Sequence, residues 1–178
     1  LPIHSLASAT NIRGVYFIRP PMRPVFQAIK GQGVPLIGAQ EYHANGLSGT
    51  GVKVAVIDGG FSQSDCLPDE IPSSAISVDF TEDGPFSGGV HGTICAEVVH
   101  DIAPAAQLYL LRIGDLLDFE NAKDYCIEND IDIISHSLGW LGTGFGDGRG
   151  LACEIVNDAQ DNGILWVNAS GNHTNSQY

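Results

Sequence analysis

The sequence predicts an α/β fold: a doubly wound, mostly parallel sheet with helices on both faces. From residue 38 onward, short apolar runs alternate with stretches of helical spacing. The first run, Val52 to Ile57, is apolar except for Lys53, the pattern of a strand buried on both faces. Three later strand ends carry polar residues in glycine-bounded turns, where open parallel sheets keep their working residues.

Taken in order, Gly38 to Asn45 reads as a short helix closed by Gly46. Val52 to Ile57 is the first sheet strand, and Ala75 to Phe80 a second, weaker one. His91 to His100 has helical spacing, with Ile94, Val98 and Val99 apolar, and Pro104 prevents continuation. Leu108 to Leu111 is a strand, Asp118 to Asn129 a helix, and Ile131 to Ile134 a strand. A glycine-rich loop runs from Gly139 to Gly150. Leu151 to Asn162 is a helix with Gly163 at its end, and Ile164 to Val167 the last strand.

Residues 1–33 stand apart. They hold Pro2, Pro20, Pro21 and Pro24 and a basic cluster of Arg13, Arg19, Arg23 and Lys30. Val15 to Ile18 reads as one strand stopped by Pro20 and Pro21. This part is expected to be a linker or the tail of an upstream propeptide, and residues 34–178 the working domain.

The 178 residues suffice for one domain with a sizeable core. A net charge of −13 disfavours nucleic acid and anionic membrane surfaces, which are themselves negative. No apolar run is long enough to span a bilayer. The chain begins at Leu1 and shows no signal peptide, so either a leader was removed or the sequence simply begins there. Cys66, Cys95, Cys126 and Cys153 show no zinc spacing, so no metal and no cofactor is expected. Two disulfides in any of three pairings and four free thiols remain open.

The three polar strand ends are Ile57-Asp58-Gly59-Gly60, Ser135-His136-Ser137-Leu138-Gly139 and Asn168-Ala169-Ser170-Gly171-Asn172. A carboxylate after a buried strand is costly unless paired. His91, opening a helix with Gly92-Thr93, is the natural partner of Asp58. Singly, Asp58 reads as a turn residue, His91 as a helix-entry residue and Asn172 as a turn former. His136 reads as structural. Cys95 lies one helical turn after His91, but no third metal ligand is evident, so packing accounts for it. The Ser135 to Gly139 segment also has a lipase-elbow look with Ser137 as nucleophile, yet no helix follows that serine directly.

Together these segments resemble the subtilisin-like serine proteases. Gly51-Val52-Lys53-Val54-Ala55-Val56-Ile57-Asp58 resembles their aspartate motif. His91-Gly92-Thr93, running to Ala103-Pro104-Ala105-Ala106-Gln107-Leu108-Tyr109, resembles their histidine motif. Ser137-Leu138-Gly139 resembles the strand that pairs with substrate, and Ala169-Ser170-Gly171-Asn172 the oxyanion segment. The order is the family's, over roughly Gly38 to Asn172.

The resemblance implies an endopeptidase with Asp58 and His91 as catalytic residues and Asn172 as oxyanion donor. It implies substrate contacts at Ser137, Leu138, Gly139, Ala169, Ser170 and Gly171, a protein or peptide substrate, and an extracellular or secreted location. The family's Gly-Thr-Ser motif does not occur by Tyr178. The resemblance therefore implies a fold incomplete at the C-terminus, with the nucleophile on a remainder of the domain, in cis or as a second chain. The other reading is a catalytically silent subtilisin-like module that binds peptides or partners. Gly59-Gly60-Phe61 stands where many relatives have a hydroxyl-bearing residue, and the loop around Trp140 is unlike the common form.

Overall fold

The computed structural model describes residue 13 and residues 25–26, 33–62, 71–84, 87–144 and 147–172. The strand expected at Val15 to Ile18, and Cys66, lie outside the described residues. The elements are β1 (Val25–Phe26), α1 (Gly33–Leu36), α2 (Ala39–Ala44), β2 (Lys53–Asp58), β3 (Ile76–Asp79), α3 (His91–Ile102) and β4 (Gln107–Arg112). These are followed by α4 (Leu116–Glu128), β5 (Ile133–His136), β6 (Leu138–Gly139), α5 (Leu151–Asp161) and β7 (Leu165–Asn168).

Five strands form one sheet in the order β3-β4-β2-β5-β7, and every pairing in it is parallel. Alternation along β2 explains its near-continuous apolar run. Val54 and Val56 face clusters containing Ala96, Val99 and Ala106, while Ala55 and Ile57 face one built with Phe119, Ala122, Ile155 and Ala159. Helices therefore cover both faces. Lys53, the one charge in the run, is at the strand's entry, where Nζ donates to Asn129 O at 2.7 Å. The chain leaves β2 toward β3 and leaves β5 toward β7, in opposite directions. The carboxyl ends of these two neighbours thus flank the switch point at which such sheets open a crevice.

Most boundaries shift by one or two residues from the sequence expectation, and two of the shifts have a visible cause. Helix α4 begins at Leu116, not Asp118, because the Asp115 side chain caps it by accepting from Leu117 N and Asp118 N at 2.8 and 3.1 Å. Ile131 belongs to the helix exit rather than the strand: Asp130 turns through a positive φ of 52° and Ile131 N bonds back to Cys126 O. The strand consequently extends to His136.

At the end of β4, Arg112 is buried and satisfied by five acceptors. Nε donates to Gly59 O, Nη1 to Thr81 Oγ1, Gly84 O and Asp79 Oδ2, and Nη2 to Asp83 Oδ2. It ties the turn after β2 to the segment following β3. Arg112→Met leaves Asp79 without its cation, and stability should fall by about 3 kcal/mol, measured by urea unfolding. An unchanged midpoint would show that water replaces the guanidinium.

Candidate active site

Asp58 is the last residue of the central strand and is fully buried. Its Oδ1 accepts from Gly59 N at 2.8 Å, and its Oδ2 lies 2.6 Å from His91 Nδ1. An ionised carboxylate can only accept, so the ring proton at this contact is on Nδ1. His91 opens α3, and its side chain is 14% exposed.

Backbone contact between two loops brings the pair together. Phe61 N bonds Ser87 O and Ser62 N bonds Gly89 O, while Gly92 N bonds Gly60 O. Thr93 Oγ1 donates to Ser62 O at 2.9 Å. The approach requires glycine: a Cβ on Gly60 would lie 2.3 Å from Gly88 C, and one on Gly92 2.6 Å from Gly60 O and 2.7 Å from Asp58 Cβ. This accounts for Gly59-Gly60-Phe61 after the aspartate, since Phe61 is 1% exposed and anchors the turn.

The hydrogen bond to Asp58 raises the His91 pKa well above 6.5, and Cys95 adds to the shift. Cys95 Sγ lies 3.8 Å from His91 Nδ1. The sequence showed no third metal ligand beside His91 and Cys95. In the structure Asp58 brings an oxygen within 4.8 Å of both donor atoms, a grouping that sequence spacing alone did not show. Cys95, Cys126 and Cys153 are free thiols, so no disulfide joins them. Burial pushes Cys126 up to about 12, which keeps it a neutral thiol.

A cavity of about 1000 Å³ lies beyond the ends of β5 and β7. Leu138 and Gly139 form one wall and Ala169, Ser170 and Gly171 another. Ser137 joins β5 to β6, and Asn172, exposed, follows Gly171 directly. The expected site residues thus fall into the Asp58–His91 pair and the cavity walls, with Ser137 and Asn172 next to the walls in sequence. Strand β1 pairs antiparallel with β6, with Val25 opposite Gly139 and Phe26 opposite Leu138. Sequence reasoning read the first 33 residues only as a linker or propeptide tail and missed this contact.

His136, expected from the sequence to be structural, is buried and hydrogen-bonded through both ring nitrogens. Its Nε2 accepts from Trp140 Nε1 at 3.2 Å, so Nδ1 carries the proton and donates to Asn168 Oδ1 at 2.5 Å. Burial pulls this histidine down to about 4, which keeps the ring neutral.

Residues 49–178 match the model of the Subtilase family. The chain belongs to the subtilase family. This subtilase chain is 35% identical over 147 residues to the minor extracellular protease Epr of Bacillus subtilis (strain 168), covering 74% of the chain and 22% of Epr. It is 30% identical over 160 residues to subtilisin E of the same strain, covering 81% of the chain and 40% of subtilisin E. The major intracellular serine protease of that strain is 33% identical over 163 residues, with 79% of the chain and 49% of the relative covered. The subtilase chain thus spans between 22% and 49% of the length of these relatives. Among solved structures, MycP1 from the ESX-1 type VII secretion system superposes with a TM-score of 0.59 at 18% identity, over 89% of this chain and 51% of that one. A lanthipeptide protease superposes at 0.54 and 21% identity, over 75% of this chain and 44% of that one. These likenesses carry the fold.

Proposed function

We propose that this chain supplies the aspartate and histidine of a subtilase serine endopeptidase, whose nucleophilic serine lies on a further part of the domain. The observation that carries the reading is the 2.6 Å contact between buried Asp58 and His91 Nδ1. With Nδ1 protonated and facing the carboxylate, Nε2 is the nitrogen that takes the serine proton and later returns it to the leaving amine. Asp58 orients the ring and stabilises its cation. Asn172 donates to the oxyanion. The Ser137-Leu138-Gly139 edge pairs with the substrate backbone as an added strand. Ala169, Ser170 and Gly171 wall the neighbouring cavity.

Strand β7 is the outer strand of the sheet, with Leu165 57% and Val167 51% exposed. This supports a remainder of the domain packing there, in cis or as a second chain. The β1–β6 pairing places an upstream segment on the edge assigned to substrate, which favours the propeptide-tail reading of residues 1–33 over a linker. An extracellular location belongs to the same proposal.

A fluorophosphonate probe on the native protein tests the assignment. Labelling of a species heavier than this chain, or of a second chain, and its loss in His91→Ala support it. No labelling at all would leave the silent peptide-binding module as the reading. The raised His91 pKa adds a prediction. The base must be neutral to work, and a raised pKa keeps its proton on to higher pH. Activity therefore rises with pH along a limb lying above the ordinary histidine value of about 6.5. A kcat/KM profile with its acid limb at or below that value contradicts the coupling to Asp58.

A further inference from the structure

Three neighbouring strands end level with one another. Asp58 closes β2, Arg112 closes β4 and Asp79 closes β3, and Asp58 and Asp79 are each in register with Arg112. Residues in register on parallel neighbours point to the same face. That face is the one α3 covers, since Val56 and Leu110, two positions earlier, pack there against Ala96.

Arg112 is 5% exposed and reaches both backbone segments that carry the Asp58–His91 pair. On one side Nε donates to Gly59 O at 3.2 Å, while Gly59 N donates to Asp58 Oδ1 at 2.8 Å. On the other side Nη1 donates to Gly84 O at 3.0 Å and Nη2 to Asp83 Oδ2 at 3.1 Å. Gly84 O also accepts from Ser87 N at 3.2 Å, on the segment that leads into His91. The two segments touch beside the guanidinium: a Cβ on Gly88 would lie 2.2 Å from Gly59 O and 3.0 Å from Arg112 Nε. Asp79, with its side chain 10% exposed, is the buried counter-charge, whereas the Asp83 side chain is 72% exposed.

We propose that Arg112 is a positioning residue for the Asp58–His91 pair: its guanidinium ties the turn that carries the aspartate to the segment that delivers the histidine, and so fixes their separation. A planar fork makes both contacts at once. Lysine would keep the charge but gather its donors on a single nitrogen. The inference rests on the protease reading for its effect on rate, not for its geometry.

The test uses the full-length protein with Arg112→Lys, Arg112→Met and, for comparison, Lys123→Met. Lys123 is also buried, and it pairs with Asp124 and Asp158 on the opposite face of the sheet. Kinetics on a peptide amide are read well below each thermal midpoint. A displacement of about 1 Å at a reacting group costs about 10²-fold in rate. Arg112→Met should therefore lower kcat by about 10²-fold and Arg112→Lys by about tenfold, with KM little changed. Lys123→Met should lower the thermal midpoint and leave kcat alone. Proton NMR supplies a readout that needs no serine. The downfield signal of the His91 Nδ1–H, identified by its absence in His91→Ala, should move upfield in Arg112→Lys and stay in place in Lys123→Met. An unmoved signal, or a kcat in Arg112→Lys no lower than in Lys123→Met, would show that Arg112 only supports the fold and would overturn the proposal. Fluorophosphonate labelling with the signal unmoved sinks this inference and leaves the protease reading standing. A moved signal in a protein that the probe never labels does the reverse.

Discussion

On the proposed assignment, Asp58→Asn should lower kcat of the full-length protein by about 10⁴-fold while the fold is retained. The backbone contact from Gly59 N to Oδ1 survives, because an amide oxygen accepts as a carboxylate oxygen does. What changes is the face toward His91. The asparagine NH₂ can donate to Nδ1, which moves the ring proton to Nε2 and removes the acceptor that the serine needs. The cationic ring also loses its counter-charge. Single-turnover kinetics would read the loss, and an unchanged thermal midpoint would show that it is chemical. A fall below about tenfold would mean that His91 does not act through Asp58.

Asn172→Ala should reduce kcat by about 10²–10³-fold with little change in KM. The residue follows Gly171, whose φ of +89° turns the chain out of β7 at the carboxyl end of the sheet. A donor aimed at an oxyanion stabilises charge that exists only in the transition state, so its removal shows in kcat. Fluorophosphonate labelling should persist at a reduced rate, because serine and base remain. A rise in KM at constant kcat would instead assign Asn172 to ground-state binding of substrate.

Much of this was legible in the sequence because it follows from local patterns. Val54 to Ile57 announces a strand covered on both faces, and the five parallel strands lie within about two residues of the expected bounds. The Asp58–His91 pairing was readable from cost: a carboxylate closing a buried strand needs a partner, and His91 opens the next long helix. Boundaries were missed where a side chain overruled the apolar pattern, as when Asp115 capped α4 two residues early. The β1–β6 pairing was invisible because it joins segments more than a hundred residues apart through backbone groups, which leave no mark on side-chain type. The His136–Trp140–Asn168 network was hidden for a related reason. His136 and Asn168 lie on two strands that only parallel register sets opposite each other, and Trp140 follows β6 in the loop.

The close contact among Gly60, Gly88 and Gly92 bears on attempts to re-engineer this chain. None of the three touches a reacting atom, yet a single added methyl at any of them meets backbone closer than 3 Å. A mutant library that spares Asp58 and His91 but varies these positions would therefore lose nearly every clone. The loop bearing Trp140 carries the same limit at Gly144 and Gly150, where an added Cβ would lie 2.7 Å from Arg149 O and 2.9 Å from Thr143 O, so diversity there is better spent on its other positions.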